Sequence, residues 1–240
     1  MEKKLRTYGF DDDAPAEIGG KAVTSIYVYQ APVRIWHWLN ALSIVVLCVT
    51  GFLIGKPLYA TPIGEASDHF LMGYIRFAHF TAAYVFAVGL IFRIWWAFFG
   101  NHYSRELFIV PVWDAQWWRE VLHEIRWYLF LARKPHKYVG HNPLAQCAMF
   151  FFILLCVFMV FSGFALYSEG LGHGSWADHL FGWMIPLFGD NSLALHSWHR
   201  LGMWGVLLFM MIHMYVAIRE DIMSKQSIVS TMISGYRMFK

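Results

Sequence analysis

Four of the twelve histidines in this chain stand inside or at the rim of long apolar runs: His37, His79, His199 and His213. An imidazole at such a depth is a functional candidate by default, although one taken alone is equally explained by a hydrogen-bonded packing role. Spacing separates the two readings. His199 and His213 are 14 residues apart, which on a helix is four turns less about 40° and about 21 Å of rise. One helix then offers two imidazoles on nearly one face at two levels, and each level needs a partner. His196, three residues before His199, competes for the upper position. Its 17-residue separation from His213 puts it roughly 100° off that face. The other eight histidines, His69, His102, His123, His136, His141, His173, His179 and His196, fall in connections and read as solvated or interfacial.

The elements that must carry the four histidines follow from composition. Of 240 residues, 58% are hydrophobic, 19% aromatic and only 15% charged, against about 25% charged in a soluble domain. Disorder, collagen and coiled coil are excluded with the soluble class, leaving an integral membrane protein. The net charge of +3 carries no sign of nucleic acid binding. Four runs reach the roughly 20 residues a spanning helix needs: Ile35–Ile54, Phe77–Phe99, Cys147–Tyr167, and Leu201–Ile218 with a start a turn earlier near Ser197. The spanning core therefore covers 35–218, between terminal segments 1–34 and 219–240. Lys and Arg number fifteen in the N-terminal stretch, the central connection and the C-terminal stretch, against Lys56, Arg76 and Arg200 in the two other connections. By the positive-inside rule both termini are cytoplasmic. The N-terminal MEKKLRTYGFDDDAPAE lacks the apolar core of a signal peptide and is expected to be retained.

Outside the spans, Trp113–Arg133 carries apolar residues at helical spacing with Arg119, Glu120, Glu124 and Arg126 between them. It reads as an amphipathic helix on the cytoplasmic membrane surface. The glycine-rich Ser168–His196 is a long outer loop with room for a short helix at Trp176–Ile185. No internal repeat is evident.

With this topology His37 opens the first span from the cytoplasmic side, and His79 opens the second from the outer side. The levels then match as an outer pair, His79/His199, and an inner pair, His37/His213. Zinc usually takes four ligands at one level. Two axial imidazoles at each of two levels suit haem iron, whose other positions the porphyrin fills. Cys48, Cys147 and Cys156 form no Cys-x-x-Cys-His, so covalent c-type attachment is excluded. The fold expected is an all-α integral membrane protein, four transmembrane helices in a dihaem cytochrome b bundle with an amphipathic surface helix. Gly51, Gly89, Gly163, Gly202 and Gly205 could give a porphyrin room, with ordinary helix packing favoured for Gly163. Arg76 and Arg200 at the outer level, and Arg34, Arg93 and Arg219 at the inner one, could meet propionates. Interfacial anchoring is the competing role for each, least so for Arg93, which lies within a span. Trp36, Trp38, Trp95, Trp96, Trp198 and Trp204 read mostly as interface belts.

The segments APVRIWHWLNALS (Ala31–Ser43), GFLIGKP (Gly51–Pro57), GYIRFAHF (Gly73–Phe80), YSRELFIVPVW (Tyr103–Trp113), EIRWYLFLARKP (Glu124–Pro135), GHNPLAQ (Gly140–Gln146), HSWHRLGMW (His196–Trp204) and REDIMS (Arg219–Ser224) resemble, in this order, the b-type cytochrome subunit of membrane-bound nickel–iron hydrogenases. A looser resemblance extends to formate dehydrogenase cytochrome subunits. The resemblance implies two haems b ligated by His37, His79, His199 and His213, in the bacterial inner membrane. It implies a periplasmic hydrogenase whose small subunit, with iron–sulfur clusters and a membrane helix, joins this chain, the hydrogen-splitting site lying in the large subunit. Electrons would enter at the outer haem and leave from the inner one to a quinone, sought near Arg93, Arg34 and Arg219, with Tyr27, Tyr29 and the surface helix as further possibilities. This chain would then be an electron-transfer subunit and anchor. Two alternatives stay open: a cytochrome b anchor of another periplasmic dehydrogenase such as formate dehydrogenase, and a haem-free transporter or scaffold.

Overall fold

The computed structural model describes residues 15–18, 21–57 and 70–239. The retained N-terminus and the loop reading of His69 lie outside the described residues. In chain order the elements are β1 (Pro15–Ile18), β2 (Lys21–Tyr27), α1 (Ala31–Gly55), α2 (Leu71–Phe99), α3 (His102–Arg105), α4 (Ala115–Tyr128), α5 (Pro143–Leu171), α6 (Trp176–Phe181), α7 (Ser192–Met223), α8 (Ile228–Ser234) and β3 (Tyr236–Phe239).

The four spans of the sequence reading are α1, α2, α5 and α7, with 25, 29, 29 and 32 residues. Each is longer than its apolar run because a helix ends where its caps are, not where its hydropathy falls. Asn142 caps α5, its side chain accepting from the Ala145 N–H at 2.6 Å. Pro143 takes the first helical position, where no N–H is needed. Asn191 starts α7 in the same way, accepting from Ala194 at 3.2 Å. Besides Leu39, the exposed large residues on α1 are Ile35, Trp38, Leu42, Val45, Val49 and Phe52. Their alternating spacing of three and four draws one apolar stripe along the helix. Such a stripe is unfavourable in water and neutral in lipid. The opposite stripe holds His37, Asn40, Ile44, Cys48 and Gly51.

The surface helix is α4, shorter than Trp113–Arg133. Asp114 caps it, accepting from the Gln116 N–H at 2.8 Å. It carries two apolar faces: Trp117, Val121 and Trp127 are buried with Glu124, whereas Trp118, Leu122, Ile125 and Leu129 are exposed. One stripe is covered by the protein and the other is left for the membrane interface. The glycine-rich connection before α7 holds α6 in place of a helix over Trp176–Ile185. Gly182 and then Pro186 divert the chain into 3-10 turns at Gly182–Met184 and Pro186–Phe188.

The all-α expectation omits one feature. β1, β2 and β3 form an antiparallel sheet in that order, with Thr24 opposite Phe239 and Tyr27 opposite Tyr236. β2 and β3, strands of seven and four residues, lie more than 200 positions apart and leave little local pattern to read. Gly235 makes the turn into β3 at φ 90°, and a Cβ there would lie 2.7 Å from the Tyr29 carbonyl oxygen.

The chain divides into two compact units, and the division falls within each long helix. The first comprises the described residues up to His37, Arg93–Phe151 and the chain from Met211 onward. Its core is Val28, Tyr29, Val33, Tyr103, Val139 and Phe239. The second comprises Trp38–Phe92 and Phe152–Met210. Its core is Ile44, Cys48, Phe86, Leu90, Cys156, Met203 and Val206, drawn from all four long helices.

Candidate functional site

In the second unit His79 on α2 and His199 on α7 line one cavity of about 740 Å³. This falls within the ~300–1,000 Å³ typical of cofactor sites. The walls are apolar, with Tyr84, Phe164 and Met203 among them. Each imidazole is held by a hydroxyl from a neighbouring helix. The Thr50 Oγ1 lies 2.8 Å from Nδ1 of His79, and the Ser162 Oγ lies 2.7 Å from Nδ1 of His199. Each imidazole also rests on a glycine. A Cβ built on Gly51 would stand 3.3 Å from Cε1 of His79, and one on Gly163 would stand 3.2 Å from Cε1 of His199. Gly163 was expected to serve ordinary helix packing; it instead lies against a candidate ligand. Arg200 lines the cavity, beside Gly55. Arg76 is exposed and is not among the lining residues. His196 also borders the cavity, but its Nδ1 donates to its own helix at the Ser192 carbonyl, 2.9 Å away.

In the first unit the rings of His37 on α1 and His213 on α7 have centroids 6.4 Å apart and planes at 50°. A first-row metal such as zinc holds an imidazole nitrogen at about 2.0–2.1 Å, and adding the ring radius on both sides gives about 6 Å between trans ring centroids. That separation would let one iron sit between the two imidazoles. In the same unit Arg93 is 1% exposed. Its Nη2 donates to the Ser104 carbonyl at 2.7 Å, while Nε and Nη1 have no hydrogen-bond partner among the described residues. Its guanidinium lies 5.5 Å from the Trp36 ring centroid and 5.1 Å from that of Phe108. Arg34 Nε and Trp36 Nε1 are likewise buried without a partner, although Arg34 donates through Nη1 to the Ile233 carbonyl. A buried cation with unsatisfied donors is costly unless an anion meets it. These donors fit the propionates of a porphyrin.

Among the described residues no three or more His, Cys, Asp or Glu side chains converge on a metal position. The histidine donors come in pairs, the arrangement that fits an iron whose remaining positions are filled by a porphyrin.

Arg219 is not free for this task. It pairs with Glu220 at 2.7 Å, donates to the Trp127 carbonyl at 3.1 Å, and faces the rings of Trp127, Tyr128 and Phe130. It fastens the end of α4. Three histidines read as solvated are half-buried and engaged. His141 Nδ1 lies 3.1 Å from Glu106 and within 3.4 Å of the Tyr29 hydroxyl. Burial pushes the Tyr29 phenol up to about 12, so it stays a neutral donor. His136 lies 2.7 Å from Glu120 and stacks on His123 at 3.6 Å. For His141 and His136 a glutamate from another segment supplies the partner, which no local pattern announces. Thr50 and Ser162 also escape the sequence reading. Their one trace is a hydroxyl–Gly–Phe triplet, Thr50-Gly51-Phe52 and Ser162-Gly163-Phe164, on two different spans.

The model of the family described as prokaryotic cytochrome b561 matches residues 28–235. Among curated relatives, a protein of Azotobacter chroococcum is 63% identical over 241 residues, covering 100% of this chain and 97% of that protein. One of Cupriavidus necator is 60% identical, covering 97% and 94%. One of Escherichia coli K12 is 56% identical, covering 91% and 93%. The first two carry the name "Probable Ni/Fe-hydrogenase B-type cytochrome subunit", and the third the same name with the numeral 1 after hydrogenase. With four apolar helices long enough to span a bilayer and a family match over most of its length, this chain is a multi-pass membrane protein and belongs to the prokaryotic cytochrome b561 family, among its Ni/Fe-hydrogenase b-type cytochrome subunits.

Proposed function

We propose that this chain is the dihaem membrane subunit that anchors a periplasmic nickel–iron hydrogenase and links its iron–sulfur clusters to the quinone pool. In this reading residues 35–218 form the haem-binding domain, and the segments 1–34 and 219–240 face the cytoplasm of a bacterium. His79 and His199 hold an outer haem b, and His37 and His213 hold an inner one. A haem with imidazole at both axial positions supplies one-electron transfer and has no open site for bond chemistry. The chain's own residues do the rest. Thr50 and Ser162 orient the outer imidazoles. Arg200 at the outer level and Arg93 with Arg34 at the inner level would meet propionates; Arg76 keeps only its position at the outer level in its favour. Apolar walls keep water from the outer cavity. The observation that carries the reading is the pairing itself: one continuous helix, α7, supplies a histidine to each of two pairs, 14 residues apart.

The test is a reduced-minus-oxidised spectrum with an iron count on the complex purified with its partners. The expected result is two low-spin b haems per chain. His199→Ala should remove one haem and abolish hydrogen-driven quinone reduction, while hydrogen oxidation with a soluble dye persists. Absence of haem from the assembled complex, or equal loss of both activities in His199→Ala, overturns the reading. A dehydrogenase other than hydrogenase as the co-purifying partner overturns the choice of partner.

A further inference from the structure

Thr50 and Ser162 make the same pair of contacts on different helices. The Thr50 Oγ1 lies 2.6 Å from the carbonyl of Val46 and 2.8 Å from Nδ1 of His79. The Ser162 Oγ lies 2.7 Å from the carbonyl of Phe158 and 2.7 Å from Nδ1 of His199. A hydroxyl has one hydrogen to give and two lone pairs with which to accept. A carbonyl only accepts, so at these distances the hydroxyl must donate its hydrogen there; otherwise two oxygens would face each other with none between them. The hydroxyl's contact with the imidazole can then run only one way, with Nδ1–H donating to oxygen. Both histidines are thereby fixed as the Nδ1–H tautomer, which leaves Nε2 as the nitrogen with a free lone pair.

The neighbouring residue completes the device. Gly51 and Gly163 follow the two hydroxyls directly, and each lets Cε1 of the same imidazole approach to within 3.3 Å of where a Cβ would be. Thr50 is 8% exposed and Ser162 0%, so bulk water does not compete for Nδ1. A serine or threonine in a spanning helix ordinarily spends its hydroxyl on the carbonyl four residues back. Here that bond frees the oxygen lone pairs for one task.

We infer that Thr50 and Ser162 are positioning residues that set the tautomer and donor strength of His79 and His199, and so tune the reduction potential of the outer haem. This rests on the proposed ligand assignment. An acceptor at Nδ1 makes the ligating nitrogen more basic and favours the oxidised metal. A neutral hydroxyl does so more weakly than a carboxylate. Removing it should therefore raise the potential.

The experiment is a potentiometric titration of the b-haem absorption in the full complex, with low-spin electron paramagnetic resonance on the same samples. Thr50→Val and Ser162→Ala are expected to keep both haems. Each should raise one midpoint by a three- to tenfold change in the reduction equilibrium, up to about 59 mV for one electron. The other midpoint should stay in place. Thr50→Ser, which keeps the hydroxyl, should restore the wild-type value. Unchanged midpoints in Thr50→Val and Ser162→Ala at full haem content overturn the inference. Equal haem loss in Thr50→Val and Thr50→Ser also overturns it, since that is the behaviour of a packing residue. Loss in Thr50→Val alone, against the full content expected, overturns the tuning role as well. His79→Ala and His199→Ala are read alongside. If they retain both haems, it is the ligand assignment that fails, separately from the role of the hydroxyls.

Discussion

A histidine in a spanning helix is defined as much by what touches it as by its depth. The four candidate ligands were legible in the sequence because lipid-level context makes an imidazole conspicuous, and because the 14-residue phase of His199 and His213 selects one helix face. Arg93 was legible for the same reason. What surrounds them was not. Thr50, Ser162 and Gly163 are ordinary residues of an apolar helix until another helix brings an imidazole against them. Gly163 gives the sharpest test at this scale. An added Cβ would meet Cε1 of His199 at 3.2 Å, and within 4 Å it otherwise meets only Nε2 of the same ring, at 3.9 Å. The ring itself must therefore yield by a few tenths of an ångström. Gly163→Ala is expected to shift the electron paramagnetic resonance signal of one b haem or to lower its occupancy, with the other unchanged. Gly73→Ala, where no described residue lies within 4 Å, should leave both as they were. A Gly163→Ala protein indistinguishable from wild type would mean that the ring has slack the packing does not suggest.

Among the elements, the long helices and α4 were legible because each has a period, and the terminal sheet was not because its strands are short and its β2–β3 pairing joins distant segments. The helical period of α4 also hid something, since it gave no sign that Glu124 lies on the covered face. Glu124 is 2% exposed, and its Oε1 has no hydrogen-bond partner among the described residues. Burial, reinforced by the Glu220 carboxylate, pushes its pKa up from 4.5 to about 7, against smaller opposing effects of Tyr138 and Arg219. The folded chain then keeps a proton that the unfolded chain has already lost. Stability consequently falls as pH rises from about 4.5 to 7 and levels off above. Glu124→Gln removes this penalty. Its thermal stability in detergent should match wild type near pH 4.5 and exceed it at pH 8 by on the order of 1–3 kcal/mol. Equal differences at the two pH values would show that the carboxyl does not titrate in this window. The α4 end should tolerate the change, because Arg219, Glu220 and Trp127 hold it independently through the 2.7 and 2.8 Å contacts on Glu220.

For the whole molecule the charge pattern and the exposed surface argue together. Within the candidate spans only 17–33% of the hydropathy window is buried inside the protein. The remaining apolar surface is far more than a water-soluble chain leaves uncovered, and lipid is the solvent that makes it neutral. Orientation cannot come from that surface, which is apolar from end to end; it comes from the fifteen Lys and Arg residues of the terminal and central segments against three in the other connections. Hydropathy and charge are thus readable in one dimension, whereas which histidines come to lie near each other depends on how the helices pack. The orientation is open to a direct measurement. Alkaline phosphatase, which folds only after export, should be active when joined within the outer loop at Gly174 and inactive when joined after Lys240. A cytoplasmically folding fluorescent protein should give the opposite result. Since a cytoplasmic C-terminus puts His213 toward the cytoplasmic end of α7 and His199 toward the outer end, reversed signals would exchange the two pairs. Electrons from an external hydrogenase would then enter at His37/His213, and the proposed outer role of Thr50 and Ser162 would pass to the side where quinone is reduced.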